Sequence, residues 1–177
     1  MDQPVLETPR LLLRPVEMKD QQKVFEGFSD PEITRHMEIT YATFEATAEQ
    51  MEWYANNRKT GSGYAWVAAL KEEPGSFLGM FSMYDVTPKH KRAEIGYWLF
   101  PQHWSKGYTV EGFEAIIAFA GSQLQLHRIA AEVERDNYGS RKVLRKLAFQ
   151  QEATLRDYEI GKNGKYLDLE IWSKIIE

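Results

Sequence analysis

With 177 residues, 43% of them hydrophobic and 13% aromatic, the chain is large and apolar enough for one globular domain, which excludes a disordered or fibrous protein. The net charge of −4 argues against sequence-independent nucleic-acid binding, and the absence of cysteine excludes disulfides, thiolate zinc sites and cysteine nucleophiles. No apolar run approaches the roughly 20 residues that span a bilayer, and Met1–Pro4 lacks the layout of a signal peptide, so we expect a cytoplasmic protein that binds no membrane.

In the N-terminal half, hydrophobic periodicity predicts a short strand, two helices and then a meander of strands. The first three elements are a strand over Leu11–Arg14, an amphipathic helix carrying Val24, Phe25 and Phe28, and a helix over Phe44–Arg58 with Ala48, Met51 and Ala55 on one face. The period then changes to two, which predicts strands over Tyr64–Leu70, Phe77–Asp85 and Ala93–Phe100. On the last strand Ile95, Tyr97 and Leu99 should face one side of the sheet, and Glu94 and Trp98 the other.

The C-terminal half alternates helices and strands. The predicted elements are a helix with an apolar stripe of Phe113, Ile116, Ile117 and Ala120, a strand over Arg128–Val133, and a helix capped by Asp136-Asn137 that carries Val143, Leu144 and Leu147. Two final strands are joined by Gly161–Gly164, where Asn-Gly favours a type I′ hairpin turn with positive φ at two residues. The element order predicts an α+β protein whose mixed sheet has helices on both faces.

The segment Trp104–Glu111 links a strand to the start of a helix. A tight loop at a helix N-terminus presents several backbone N–H groups to one point, and phosphate binds well there. By spacing alone this signal is weak, because Gly107 can simply permit a turn. The segment is neither a P-loop nor a dinucleotide fingerprint.

The four histidines have no metal-ligand spacing, so we expect no metal site.

A set of motifs over residues 6–175 resembles the GNAT N-acetyltransferases, and within them the branch that acetylates ribosomal-protein N-termini. The motifs are Thr8–Arg14, Glu94–Leu99, Trp104–Tyr108 with Glu111, Arg128-Ile129, Asn137, Ser140, Val143-Leu144 and Lys146–Phe149. The resemblance implies a single domain over residues 6–177, layered α/β/α, with a twisted mixed sheet of six to seven strands. Two central strands would splay around acetyl-CoA, the only cofactor implied, and the protein would be a monomer or a homodimer.

The resemblance also implies the residues of the site. Those implied to bind the cofactor are Trp98, Leu99, Phe100, Trp104, Ser105, Lys106, Gly107, Tyr108, Thr109, Asn137 and Ser140. Ser140 would protonate the leaving thiolate, whereas a helix cap explains Ser140 and Asn137 equally well. The general base would be Glu159 or Glu94, although an exposed glutamate is more often just a solvated surface group. The implied acceptor is a primary amine, either a protein N-terminus or a small amine.

Several residues depart from the family pattern. Trp104, Ser105 and Thr109 replace the residues usual in the loop, Ala148 replaces a usual glycine, and Leu144 replaces a frequent tyrosine acid. If position 105 requires positive φ, serine costs about 1–2 kcal/mol there relative to glycine. The loop departures leave open a second class of function, an acyl-CoA-binding module without turnover.

Overall fold

Eight strands of one mixed sheet organise residues 3–176, the part of the chain that the computed structural model describes. The strands are β1 (Leu6–Glu7), β2 (Leu11–Pro15), β3 (Tyr64–Leu70), β4 (Gly79–Thr87), β5 (Arg92–Leu99), β6 (Arg128–Glu134), β7 (Gln150–Ile160) and β8 (Tyr166–Ile175). Their order across the sheet is β1-β2-β3-β4-β5-β6-β8-β7. The prediction of six to seven strands missed β1, because two residues are too short to show a period of two.

Four α-helices cover the two faces of the sheet. They are α1 (Gln21–Ser29), α2 (Ala48–Thr60), α3 (Tyr108–Ser122) and α4 (Tyr138–Lys146). The predicted stripe of α3 is buried as expected. The predicted face of α2 is only partly right: Gln50, Met51 and Tyr54 are buried, whereas Ala55 is exposed, because the larger side chains turn toward the sheet.

The core has two parts, one on each face of the sheet. Ile95 and Leu99 belong to the part that packs against α3 and α4, with Tyr97 at its margin, whereas Trp98 belongs to the part under α1 and α2. The alternation predicted for β5 is therefore confirmed. The Trp98 ring lies against Gly27, where an added Cβ would come within 2.2 Å of it, so α1 approaches β5 closely only because residue 27 has no side chain.

The central strands β5 and β6 separate part-way along their length. They pair in parallel over only three positions, with Glu94 opposite Ala130 as the last pair. Beyond that point β5 continues on β4 as far as Leu99, and β6 continues on β8 as far as Glu134. The splay implied by the resemblance is present, and it opens a gap between the two strands on the side of their C-terminal ends.

The final hairpin is present, but its turn is not the predicted one. Within Gly161–Gly164 only Gly164 has positive φ, at 74°, and Gly161 and Lys165 pair across a three-residue loop through a hydrogen bond of 2.9 Å. This pattern belongs to a longer hairpin loop closed by a left-handed glycine, the second most common class after the two-residue turns. The Asn-Gly pair therefore predicted the hairpin correctly and its geometry wrongly.

Helix α4 ends in a Schellman motif built on a non-glycine residue. The Phe149 N–H donates to the Leu144 carbonyl (2.9 Å) and the Ala148 N–H to that of Arg145 (3.1 Å), while Ala148 has a φ of 61°. In the left-handed region alanine lowers the free energy of unfolding by about 1–2 kcal/mol relative to glycine. The greater freedom of glycine in the unfolded chain offsets this by about 0.5–1 kcal/mol.

We therefore expect Ala148→Gly to raise the free energy of unfolding by about 1 kcal/mol, measured by urea denaturation. The matched control is Ala55→Gly at an exposed position inside α2, where the same exchange should lower stability by about 1 kcal/mol. Equal losses for both variants would show that residue 148 is not strained.

Candidate active site

The gap between β5 and β6 exposes backbone groups of β5. The Phe100 N–H, just after β5, donates to the Leu78 carbonyl on the β4 side (2.8 Å). Because backbone groups alternate sides along a strand, those of Trp98 also point toward β4, whereas those of Tyr97 and Leu99 point toward the gap. A thioester lying in the gap would therefore meet the N–H groups of Tyr97 and Leu99.

Because of this alternation, only some of the strand residues implied to bind the cofactor face the gap. The Trp98 side chain is buried under α1 and the Phe100 N–H is occupied, so neither of these two groups faces the gap. The Leu99 carbonyl does face it but accepts the indole N–H of Trp104 at 2.7 Å. Trp104, a departure from the family pattern, thus ties the loop before α3 to the end of β5.

The loop before α3 has the shape of an anion cradle. Ser105 has a φ of 58° and Gly107 a φ of 82°, so the position where the sequence departs from glycine does require the left-handed region. Among residues 3–176 no acceptor engages the N–H groups of residues 105–110, which include the first turn of α3 with Tyr108 and Thr109. These free donors, together with the helix dipole, fit a pyrophosphate group.

Arg10 and Glu111 hold this loop from outside, a contact that the sequence analysis missed. The Arg10 guanidinium donates to the Lys106 carbonyl (3.0 Å) and to the Glu111 carboxylate (2.6 Å), and it lies 4.6 Å above the Tyr108 ring. Thr8 donates to the same carboxylate at 2.6 Å. Burial opposes ionisation of Glu111, but these hydrogen bonds outweigh it and lower its pKa. These contacts hold the loop in place without using its N–H groups.

Ser140 lies in the first turn of α4, on the other side of the gap. The Asn137 side-chain oxygen accepts the Ser140 N–H at 3.1 Å, so the predicted cap is confirmed. The Ser140 hydroxyl lies 3.2 Å from the Tyr97 hydroxyl on β5, and this contact bridges the two elements. Leu144, at the position of the frequent tyrosine acid, is buried in the core. Ser140 is therefore the hydroxyl that α4 presents at the gap.

Both predicted base candidates belong to one acidic region beside the gap. Burial raises the pKa of Glu94, and the carboxylates of Glu132 and Asp85 raise it further. Burial also raises the pKa of Glu159, together with the charges of Glu38, Glu132 and Glu134. Glu132 influences both candidates, so the region is continuous from β5 across β6 to β7.

Glu132 and Glu134 were not among the predicted site residues, because strand alternation does not distinguish them from other glutamates. The only available clue was their period of two on β6, and many solvated glutamates share that spacing. Glu134 also contacts the segment after α1, since the His36 ring nitrogen Nδ1 lies 2.7 Å from its carboxylate. Lys162 in the β7–β8 loop donates to the Thr34 carbonyl at 2.5 Å. The loops at this edge are thus tied together over the acidic region.

The arrangement combines the parts that acyl transfer to an amine requires. It offers backbone donors for a thioester oxygen, free N–H groups for a pyrophosphate, a hydroxyl on one side and carboxylates of raised pKa on the other. Residues 3–176 contain no group of three His, Asp or Glu side chains placed to hold a metal ion. Over the same residues no helix is long and apolar enough to cross a membrane.

Comparison with known proteins agrees with this geometry. Residues 10–150 match the family described as "Acetyltransferase (GNAT) domain". The uncharacterized N-acetyltransferase p20 of Bacillus licheniformis is 35% identical over 95% of this chain and 94% of its own length. The uncharacterized N-acetyltransferase YoaA of Bacillus subtilis is 32% identical over 96% of both chains.

Two solved structures share the fold at low sequence identity. The ribosomal L7/L12 α-N-protein acetyltransferase RimL, in complex with coenzyme A, aligns with a TM-score of 0.86 and 20% identity over 98% of this chain and 97% of its own. The spermidine N-acetyltransferase of Vibrio cholerae, in complex with CoA and spermine, aligns with a TM-score of 0.83 and 20% identity over 93% and 95%. The chain described here belongs to the GNAT family and is an acetyl-CoA-dependent N-acetyltransferase.

Proposed function

We propose that this enzyme acetylates the α-amino group at the N-terminus of a protein or peptide. The observation that carries the proposal is the placing of Ser140 at one side of the gap and of Glu94 and Glu159 in the acidic region beside it. An amine entering through the acidic region would meet a carboxylate before it reaches the thioester carbon, with Ser140 beyond it next to the sulfur.

The reaction is a direct transfer. The amine loses a proton to Glu159 or Glu94 and attacks the carbonyl carbon, while the N–H groups of Tyr97 and Leu99 hydrogen-bond the carbonyl oxygen as it gains charge. The new C–N bond forms, the C–S bond breaks, and the electron pair leaves on sulfur, which Ser140 hydrogen-bonds. Because the nitrogen arrives as an ammonium group, it releases its second proton to water as the amide forms. Because a thiol has a pKa of about 8.5, a weak acid at this position is sufficient. Within residues 3–176 the Asn137 amide nitrogen has no acceptor, so it would be able to donate to the pantetheine arm.

Proton arithmetic favours an α-amine over a lysine side chain. An α-amine with a pKa of about 7.7–8.0 is roughly a tenth neutral at pH 7, whereas a lysine near 10.4 is neutral in only about one part in 2,500. A single carboxylate whose pKa is raised by burial is adequate for the first acceptor and much less so for the second. The fold shared with RimL, which is described as an α-N-protein acetyltransferase, supports the same choice.

A polyamine is the second candidate, and the charge of the acidic region favours it. Glu38, Glu132 and Asp85 lie around the two base candidates and would attract a second positive charge on the acceptor. The fold shared with a spermidine N-acetyltransferase supports this alternative. Against it, the Glu134 carboxylate is already in contact with the His36 ring nitrogen at 2.7 Å, so it is less available to an acceptor.

The acceptor is tested by comparing kcat/KM for three substrates: a peptide that starts with Ala or Ser, the same peptide with a blocked N-terminus and a free lysine, and spermidine. We expect the free N-terminus to be acetylated fastest. Glu132→Gln serves as a second arm, since it should reduce kcat/KM for spermidine more than for the peptide. Faster acetylation of the blocked peptide or of spermidine would overturn the choice of acceptor.

A further inference from the structure

The Tyr97 side chain has a fixed position between the core and the gap. Its ring stacks on Phe81 with centroids 6.2 Å apart and meets the edge of Phe113 at 5.6 Å. The side chain is half-buried, and its hydroxyl, 3.2 Å from that of Ser140, has no other protein partner among residues 3–176. The packing of the ring therefore determines where this hydroxyl lies.

The direction of the Tyr97–Ser140 hydrogen bond follows from the chemistry of the two groups. Burial raises the pKa of Tyr97 and only the contact with Ser140 opposes this, so the phenol keeps its proton at neutral pH. A phenol is a stronger donor than an aliphatic alcohol, and Ser140 is the acceptor within reach. If Tyr97 donates to Ser140 Oγ, the hydrogen of Ser140 is free to point elsewhere.

We propose that Tyr97 is a positioning residue that orients the Ser140 hydroxyl toward the departing sulfur, an inference that rests on the role proposed above for Ser140. The Asn137 side-chain oxygen accepts the Ser140 backbone N–H, and the Tyr97 hydroxyl donates to Ser140 Oγ. The Ser140 hydrogen is then available to the thiolate as the C–S bond breaks. Donation by Tyr97 also polarises the Ser140 O–H bond, which makes it a better donor to the sulfur.

Tyr97→Phe tests this role because it removes the hydroxyl and keeps the ring that packs on Phe81 and Phe113. We expect kcat to fall about three- to tenfold, the effect of one hydrogen bond, with little change in the KM for acetyl-CoA. The matched control is Tyr64→Phe. Tyr64 is a buried tyrosine of the same core that stacks on Trp66, and its hydroxyl has no protein partner among residues 3–176. This control should leave kcat unchanged.

A double-mutant cycle with Ser140→Ala separates positioning from a general structural effect. We expect Ser140→Ala to lower kcat roughly 10²-fold, the lower end of general acid catalysis, and Tyr97→Phe to add nothing in that background. Additive losses, or a Tyr97→Phe enzyme with wild-type kcat, would overturn the role of Tyr97. A wild-type kcat for Ser140→Ala would overturn the proposed acid and the inference with it. Wild-type protein that transfers no acetyl group to any of the three acceptors would instead contradict the proposed function.

Discussion

Glu159→Gln is expected to lower kcat at saturating acetyl-CoA by roughly 10²-fold, because the amine then lacks one of the two proposed bases. The KM for acetyl-CoA should change little, since Glu159 lies on β7 and the groups proposed to face the cofactor lie on β5, the loop before α3, and α4. Glutamine preserves the size and hydrogen-bonding capacity of the side chain, so the loss can be attributed to the missing charge.

The pH dependence of kcat distinguishes a base from a residue that only attracts the amine. A carboxylate accepts a proton only when it is ionised, and burial together with neighbouring acids raises the pKa of Glu159 above its usual 4.5. Turnover should therefore fall as the pH falls through this raised pKa. In Glu159→Gln this acidic limb of the pH profile should disappear. If Glu159 only attracted the amine, the limb would remain in the variant.

Glu94→Gln is the matched control, because burial and Glu132 also raise the pKa of Glu94, which lies on β5, whereas Glu159 lies on β7 beyond β6 and β8. A larger loss in Glu94→Gln than in Glu159→Gln would transfer the role of base to Glu94. Small and equal losses in both variants would mean that the amine arrives neutral or that water takes the proton.

Gly107→Val is expected to weaken acetyl-CoA binding at least about tenfold, measured as Kd by isothermal titration. A β-branched residue at a φ of 82° is strained by about 1–3 kcal/mol, and the loop can relieve that strain only by moving its N–H groups. The new Cβ would meet only Nη2 of Arg10, at an ordinary contact distance of 3.4 Å, so backbone strain is the main effect. This strain acts on the N–H groups of the anion cradle.

Gly61→Val provides the control for strain by itself. Gly61 ends α2 with a φ of 73° and an added Cβ would meet no atom within 4 Å, so this variant should lose stability but keep its affinity for acetyl-CoA. Gly107→Val should remain folded by circular dichroism, because residue 107 lies in an exposed loop. An unchanged Kd in folded Gly107→Val protein would contradict the assignment of this loop to the cofactor.

The elements themselves were largely predictable because their signals are local. The alternation of Ile95, Tyr97 and Leu99, the stripe on α3 and the Asn137 cap each depend on residues within a few positions of one another, and all three are confirmed. Strand β1 was missed because two residues carry no period. The left-handed positions at Ser105 and Ala148 were detectable only because the family pattern places glycine at equivalent positions.

The site was only partly predictable, because its key distances join residues far apart in the chain. Local sequence patterns predicted the helices and all strands except β1, and the resemblance pointed to Ser140, Glu94, Glu159 and the loop at Gly107. Three features of the site depend on long-range packing: β5 leaves β6 after Glu94, Trp98 and the Phe100 N–H point away from the gap, and Tyr97 meets Ser140 across 43 positions. Strand register and helix docking arise from packing over the whole core, and no short segment encodes them.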